Sequence, residues 1–182
     1  KIPFWIQTRV ETITKKRLQQ LQEVGLFWIS IGIEHGNDEY RKEYVKRATK
    51  KKHMLQVMKH LDECGQGATL NSIIAYPHET EALVYDTIFL NREFFKLNNR
   101  VRPTVTVYTP FRGSEMYDDV VKNGMFEPVP YISNTDMTVD PLITSDKLTA
   151  QRVKELHRAF PLYVYLPDEY LPRIKLAEKF TE

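Results

Sequence analysis

The sequence holds one cysteine, Cys64, in 182 residues. A lone thiol excludes an internal disulfide framework and any all-cysteine metal site within the chain. It agrees with a reducing compartment, so the expected location is the cytoplasm. Long apolar runs are missing as well: the longest are short and broken by polar residues, which leaves no membrane-spanning helix. Lys1 opens the sequence with no apolar leader and no small-residue cleavage site behind it, so no signal peptide is read. Glycine-rich phosphate loops are absent too. Gly36 and Gly113 stand isolated, neither G-x-G-x-x-G nor G-x-x-x-x-G-K occurs, and there is no serine nucleophile elbow. The five histidines (His35, His53, His60, His78 and His157) lack zinc-site spacing. His53 and His60 share a helix face but miss the i, i+4 relation that a metal pair requires. No internal repeat and no low-complexity segment is present.

What is there is charge, unevenly spread. The net charge is +2, yet residues 1–60 carry thirteen Lys/Arg against six Asp/Glu. A basic N-terminal part could attract phosphate or another anion; solvated helix faces are the more ordinary account of such runs.

Periodicity alternates between strand and helix. Pro3 to Arg9 is a short β-rich stretch, and Lys1 to Ile6 already reads as the start of a strand, so the chain is expected to begin at a cut. Leu18, Leu21 and Val24 recur at helical spacing up to Gly25. Leu26 to Glu34 (LFWISIGIE) is nearly all apolar, as in a parallel strand buried on both faces. Thr49 is the expected cap of a helix with Met54, Leu55, Met58, Leu61 and Cys64 inward, closed by Gly65. Ala68 to Tyr76 is a third strand, Glu79 to Leu97 a long helix, and Val101 to Thr109 a fourth strand. Pro103 removes one ladder donor there and belongs near a strand start or an edge. Ser114 to Asn123 reads as a short helix, 125–144 as an irregular stretch, and Ser145 as the cap of a last amphipathic helix with Leu148, Val153, Leu156 and Phe160. This alternation specifies an α/β protein with a parallel sheet. Four strands with their helices make about half of an eight-stranded barrel.

In such sheets functional groups collect at the carboxyl edge. Thr8, Arg9 and Glu11 follow the first strand, and Glu34, His35 and Gly36 the second. Asn71 lies inside the third, with Pro77, His78, Glu79 and Thr80 after it; Tyr108, Thr109, Arg112 and Gly113 follow the fourth. Glu34 ends an apolar run, where a buried unpaired carboxylate costs several kcal/mol. It requires partners: a ligand ammonium or hydroxyl, or a salt bridge to Arg41, Lys46 or Arg47. Asn71 likewise must bond a ligand or a neighbouring loop backbone.

Three segments together carry a resemblance: GIEHGNDEYRKEYVKR (32–47), LNSIIAYPHETEALVYDTIFLNRE (70–93) and YTPFRGSEMYDDVVKNG (108–124). They resemble the fourth to sixth strands and adjoining loops of radical S-adenosylmethionine (SAM) enzymes, in the flavour of the cobalamin-binding branch. TRVETIT (8–14) resembles the end of that family's third strand. The resemblance implies a partial (β/α) barrel over 1–124, with an irregular segment and C-terminal helical extension over 125–182. It implies a [4Fe–4S] cluster whose cysteines lie outside this chain, SAM bound at the carboxyl edge, and cobalamin on a domain outside the chain. Residue by residue, Glu34 matches a position contacting the methionine end of SAM, Arg47 a partner of its carboxylate, and Asn71 a residue reaching its ribose. Pro77, Glu79 and Thr80 match a G-x-P-x-E-T turn in which Ala75 replaces the glycine. Tyr108 completes the cofactor-binding set, and Arg9 lines the substrate side. The missing N-terminal half of the polypeptide is then the expected partner. The competing reading is a non-catalytic module whose basic N-terminal part contacts nucleic acid or a protein; a third is a barrel enzyme using Glu34 as general base.

Overall fold

A computed structural model describes residues 1–129 and 140–179. Four strands form one parallel sheet in chain order: β1 (Phe4–Arg9), β2 (Leu26–Glu34), β3 (Ala68–Ile74) and β4 (Val101–Val107). The connections carry α1 (Lys15–Val24), α2 (Asp38–Glu43), α3 (Lys51–Glu63) and α4 (Glu81–Leu97). After β4 come α5 (Glu115–Lys122), α6 (Ala150–Tyr165) and α7 (Leu171–Ala177). The predicted α/β class with parallel strands and outer helices is therefore the fold. Pro103 falls in β4, at the sheet's edge, where a missing ladder donor is tolerated.

The chain divides into two compact units, Lys1–Ser72 with Asp86–Thr104, and Ile73–Tyr85 with Val105–Glu182. In the first, alternate strand residues face the helices: Ile29, Ile31, Ile33 and Leu70 are buried with Leu18 of α1, Met54, Met58 and Leu61 of α3, and Phe94 of α4. The other side chains of β1 and β2 stand on a more open face. Register aligns them in rows: Trp5 with Trp28, Gln7 with Ser30, and Arg9 with Gly32. The rows continue into β3, where Ser30 pairs with Thr69 and Gly32 with Asn71. Alternation thus gives this unit one apolar and one more open sheet face, so β2 is buried on one face and not on both as its apolar run led us to expect.

In the second unit, α6 runs through Pro161 although proline forfeits one intrahelical bond there. Buried Val153, Leu156, Phe160, Tyr163 and Val164 hold it in place. Its end is tied by Glu178, a fully buried carboxylate. Glu178 accepts from the Tyr163 hydroxyl at 2.7 Å, from Arg152 at 2.6 Å and from Tyr85 at 2.8 Å. Lys175 adds an ion pair at 2.9 Å. Burial works to raise the Glu178 carboxyl, but these donors prevail and hold it at about 2.

Local differences from the expected pattern have physical causes. Thr49 does not cap α3: its hydroxyl donates to the Glu11 carboxylate, Lys50 stands at the cap position, and Asp38 accepts from the Lys51 N–H at 2.8 Å. Ser145 accepts locally from the Lys147 N–H, and Thr149 caps α6 instead. The α2 helix was not expected. It is too short for a period to be visible, although Asn37 caps it through the Glu39 and Tyr40 N–H groups. Part of the irregular stretch, 130–139, lies outside the described residues.

Candidate functional site

Four charged groups meet where β1 and β2 end. Arg9, Glu11, Glu34 and Arg47 line a narrow cleft in the first unit. The loop from α2 to α3 brings Arg47 there, and a buried arginine holds that loop. Arg41 is fully buried and donates to the His35 carbonyl at 2.6 Å, to the Thr49 carbonyl at 3.0 Å and to the Asp38 carboxylate. The Arg47 N–H donates to the Arg41 carbonyl at 2.9 Å. A buried guanidinium with its donors satisfied fixes the loop on both sides of Arg47. Gly36 lets α4 approach: a Cβ there would meet the Asp86 carbonyl oxygen at 2.2 Å, while the Gly36 N–H donates to Thr87 at 2.9 Å.

Glu34 is the unusual residue. Its backbone lies in the left-handed region at φ 68°, at an irregularity in the β2–β3 register. For a non-glycine residue this conformation costs on the order of 1 kcal/mol. The turn carries its carboxylate back over Gly32, where a Cβ would lie 2.5 Å from Oε1. Because Gly32 aligns with Arg9 on one side and Asn71 on the other, the carboxylate occupies the row between them. Arg47 stands 3.9 Å from it. Burial raises the Glu34 carboxyl above its ordinary value, and Arg47 and Arg9 offset this only in part. Burial also acts on Glu11, but the Thr49 hydrogen bond and the two arginines win and lower it. One cleft therefore holds two carboxylates whose affinities for protons are driven apart, a pattern associated with functional sites.

Of the possible salt-bridge partners of Glu34, Arg47 is the one found, and Arg41 is occupied elsewhere. Asn71 is half-buried and donates to the Ser30 hydroxyl at 2.8 Å while accepting from Thr104 at 3.2 Å. Sequence reasoning placed Glu11 after the first strand without giving it a role, and read Thr49 only as a cap; their mutual hydrogen bond left no periodic trace. A roomier cleft of about 470 Å³ lies at the opposite, amino edge, among Gln22, Phe27, Trp28, Gln66 and Arg102. No acidic residue among the described ones lines it, so the charged cleft is the better candidate.

The second unit holds the other two expected residues. Pro77 is buried in a turn flanked by Ala75 and His78, both at positive φ, 60° and 63°. That conformation explains why glycine suits the position Ala75 occupies. Glu79 is fully buried there and accepts from the Tyr76 N–H at 3.0 Å. Tyr108 follows β4; its ring lies 5.4 Å from that of Tyr76, and its buried hydroxyl has no hydrogen-bond partner among the described residues. Burial first, and the Asp119 charge second, push this phenol up to about 12.

These features define an α/β protein with a charged carboxyl-edge cleft, and comparison with known proteins narrows the class. Residues 1–90 match the radical SAM superfamily. A methylthiotransferase candidate of Methanocaldococcus jannaschii is 32% identical over 73 residues, 40% of this chain and 16% of that relative. Among solved structures, coproporphyrinogen III oxidase (HemN) from Escherichia coli, a radical SAM enzyme, shares the fold with a TM-score of 0.60 at 17% identity. That match covers 88% of this chain and 32% of HemN. The chain thus spans a small part of the relatives it resembles, and together they support the radical SAM superfamily.

Proposed function

We propose that this chain is the SAM- and substrate-facing part of a radical SAM enzyme whose cluster-binding cysteines lie elsewhere in the polypeptide. Glu34 carries the reading. A strained, half-buried carboxylate, its proton affinity raised by burial, is costly to keep unless it grips something. SAM offers an ammonium for Glu34 and a carboxylate for Arg47, whose planar fork suits bidentate pairing. The Asn71 amide, in the same row on the next strand, is the group for the ribose, and Arg9 is the residue for the substrate side. In the second unit Pro77 shapes the turn, and the Tyr108 hydroxyl is a donor in want of an acceptor. SAM bound beside a reduced cluster supplies hydrogen-abstraction chemistry, while the protein positions it and excludes water.

The residues present fit SAM but not the cluster. Cys64, the single thiol, is half-buried at the end of α3 and packs against the core. One thiolate cannot hold a four-iron cluster. Its ligands, and any cobalamin domain, therefore belong to sequence outside these 182 residues. No helix among the described residues is long and apolar enough to cross a membrane, and the protein is proposed to act in the cytoplasm. Transfer chemistry is the reaction class to test first, in view of the methylthiotransferase candidate.

The decisive experiment extends the reading frame upstream and assays the anaerobically purified longer protein for iron, sulfide and SAM binding. Cys-x-x-x-Cys-x-x-Cys and four irons are expected, with SAM affinity lost in Glu34→Ala. A frame opening directly at Lys1, or unchanged SAM affinity in the variant, would overturn the proposal.

A further inference from the structure

Glu11 lines the charged cleft with Arg9, Glu34 and Arg47, yet the fold does not need its charge. The turn at Val10–Thr12 that presents it is held by other groups. Val10 is buried there, and the Ile13 N–H donates to the Val10 carbonyl at 3.1 Å. The Thr12 hydroxyl donates to the Arg9 carbonyl at 2.8 Å, and Arg17 to the Thr12 carbonyl at 2.9 Å. The Glu11 side chain is exposed and accepts from the Thr49 hydroxyl. That buried hydroxyl requires an acceptor. A neutral acceptor would satisfy it, so the negative charge is not there for Thr49.

The charge acts on two arginines that Glu34 also needs. Arg41 lines the same cleft but is occupied by the His35 and Thr49 carbonyls and by Asp38. That leaves Arg9 and Arg47 to face two carboxylates, and the outcome is unequal. Burial works to raise the Glu11 carboxyl, but the Thr49 hydrogen bond and then Arg47 and Arg9 lower it. Glu34 accepts no hydrogen bond among the described residues, and Arg47 stops 3.9 Å from it, beyond hydrogen-bonding reach. A half-buried carboxylate with guanidinium groups at hand would ordinarily close on one of them. Here the loop that carries Arg47 is tied to Glu11 through Thr49, and to the Arg41 carbonyl through the Arg47 N–H.

We infer that Glu11 is a positioning residue for the cleft: its carboxylate fixes the Arg47 loop through Thr49 and shares Arg47 and Arg9 with Glu34, so that the Glu34 carboxylate stays unbonded and ready for a ligand cation. Arg47, uncommitted to Glu34, is equally ready for a ligand anion. A cation and an anion held side by side are the two ends of a zwitterionic amino acid, as in the methionine end of SAM. The inference rests on the SAM reading for the identity of that ligand alone; the division of the arginines between Glu11 and Glu34 belongs to the chain itself.

Glu11→Gln tests it, because glutamine keeps an acceptor for Thr49 and removes the charge. Arg47 and Arg9 then have Glu34 as their one acid among the described residues lining the cleft, and draw in on it. The groups facing Glu34 are Arg9 and Glu11 from β1 and its turn, and Arg41 and Arg47 from α2 and the loop after it; Asn71 on β3 does not titrate. NMR of the chain labelled at glutamate follows the Glu34 carboxyl directly, its signal assigned by its loss in Glu34→Gln. Burial holds that carboxyl above its ordinary value in the wild type. In Glu11→Gln its midpoint moves to lower pH, since an approaching cation favours the ionised form. Glu11→Asp keeps the charge and should keep the wild-type midpoint. Calorimetry on the extended protein gives the second readout. SAM affinity at pH 7 should fall roughly tenfold in Glu11→Gln. The acid limb of SAM binding, where Glu34 takes up a proton and releases the ligand ammonium, should shift to lower pH with the Glu34 midpoint. An unmoved or raised Glu34 midpoint in Glu11→Gln overturns the inference. So does an acid limb that stays in place while affinity falls, the mark of a purely structural part. Should the extended wild type take no SAM while the Glu34 midpoint moves as stated, the SAM reading falls and the positioning by Glu11 stands.

Discussion

Gly32 vacates the space that the Glu34 carboxylate fills: a Cβ on Gly32 would lie 2.5 Å from Oε1 of Glu34. The atom in the way is the end of a flexible side chain, so a methyl group there displaces the carboxylate without breaking the sheet. Gly32→Ala is therefore expected to cost less than about 1 kcal/mol of stability. It should nonetheless weaken SAM binding by the extended protein at least about tenfold, because a displaced carboxylate no longer sits between Arg9 and Asn71. Calorimetric titration beside thermal unfolding separates the two effects; equal loss in both would mean that Gly32 serves packing alone.

Glu34→Gln tests the same residue from the other side. A carboxyl raised by burial binds its proton more tightly folded than unfolded, so its ionisation costs stability as pH rises through the ordinary carboxylate range toward the folded value. Glutamine removes that cost at neutral pH and keeps the shape. The variant should melt higher than wild type at pH 7, with the difference vanishing at pH 4, while losing affinity for SAM. A lower melting temperature at pH 7 would mean that the pair with Arg47 outweighs burial.

How much of this was legible in the sequence divides along physical lines. LFWISIGIE gives the bounds of β2 because its run of β-branched and aromatic residues suits a strand, although only one of its faces is buried, and Glu34 stood out by ending that run. The row joining Arg9, the Glu34 carboxylate and Asn71 was not legible, since register between parallel strands depends on contacts far apart in sequence. Arg41 was weighed as a salt-bridge partner for Glu34, whereas the fold buries it against backbone carbonyls. Thr49 looked like a cap and became a ligand of Glu11, because tertiary partners outbid local ones. The left-handed turn at Glu34 left no mark at all, glutamate being an unusual choice for it.

Ala75 occupies a left-handed position at φ 60°. An alanine there is strained by about 1 kcal/mol or more, while glycine loses part of this gain through its freer unfolded state. Ala75→Gly should stabilise the chain by about 0.5–1 kcal/mol in urea unfolding, with unchanged m. Destabilisation would show that the alanine methyl contributes packing worth more than the strain.

The Tyr108 hydroxyl is buried without a partner among the described residues. An unmet donor costs about 1–3 kcal/mol, so Tyr108→Phe should leave the chain as stable or more so. If the hydroxyl serves a ligand, the same variant weakens SAM binding by the extended protein severalfold. Loss of stability with unaltered binding would place the hydroxyl in the fold's own network.

Glu178 governs the acid end of the stability curve. Its carboxyl, near 4.5 in the unfolded chain, is held at about 2 in the folded one by Arg152, Tyr163, Lys175 and Tyr85. A depressed carboxyl contributes stability that is fully present above the unfolded value and lost as pH falls toward the folded one. The loss expected between pH 5 and pH 2 is on the order of 2–3 kcal/mol. Glu178→Gln should remove most of that pH dependence and lower stability at pH 7, because Arg152 and Lys175 then face a neutral amide in a buried site. Urea midpoints for both proteins across that range measure it directly. Parallel acid profiles would show that the carboxylates giving this chain its acid sensitivity lie elsewhere.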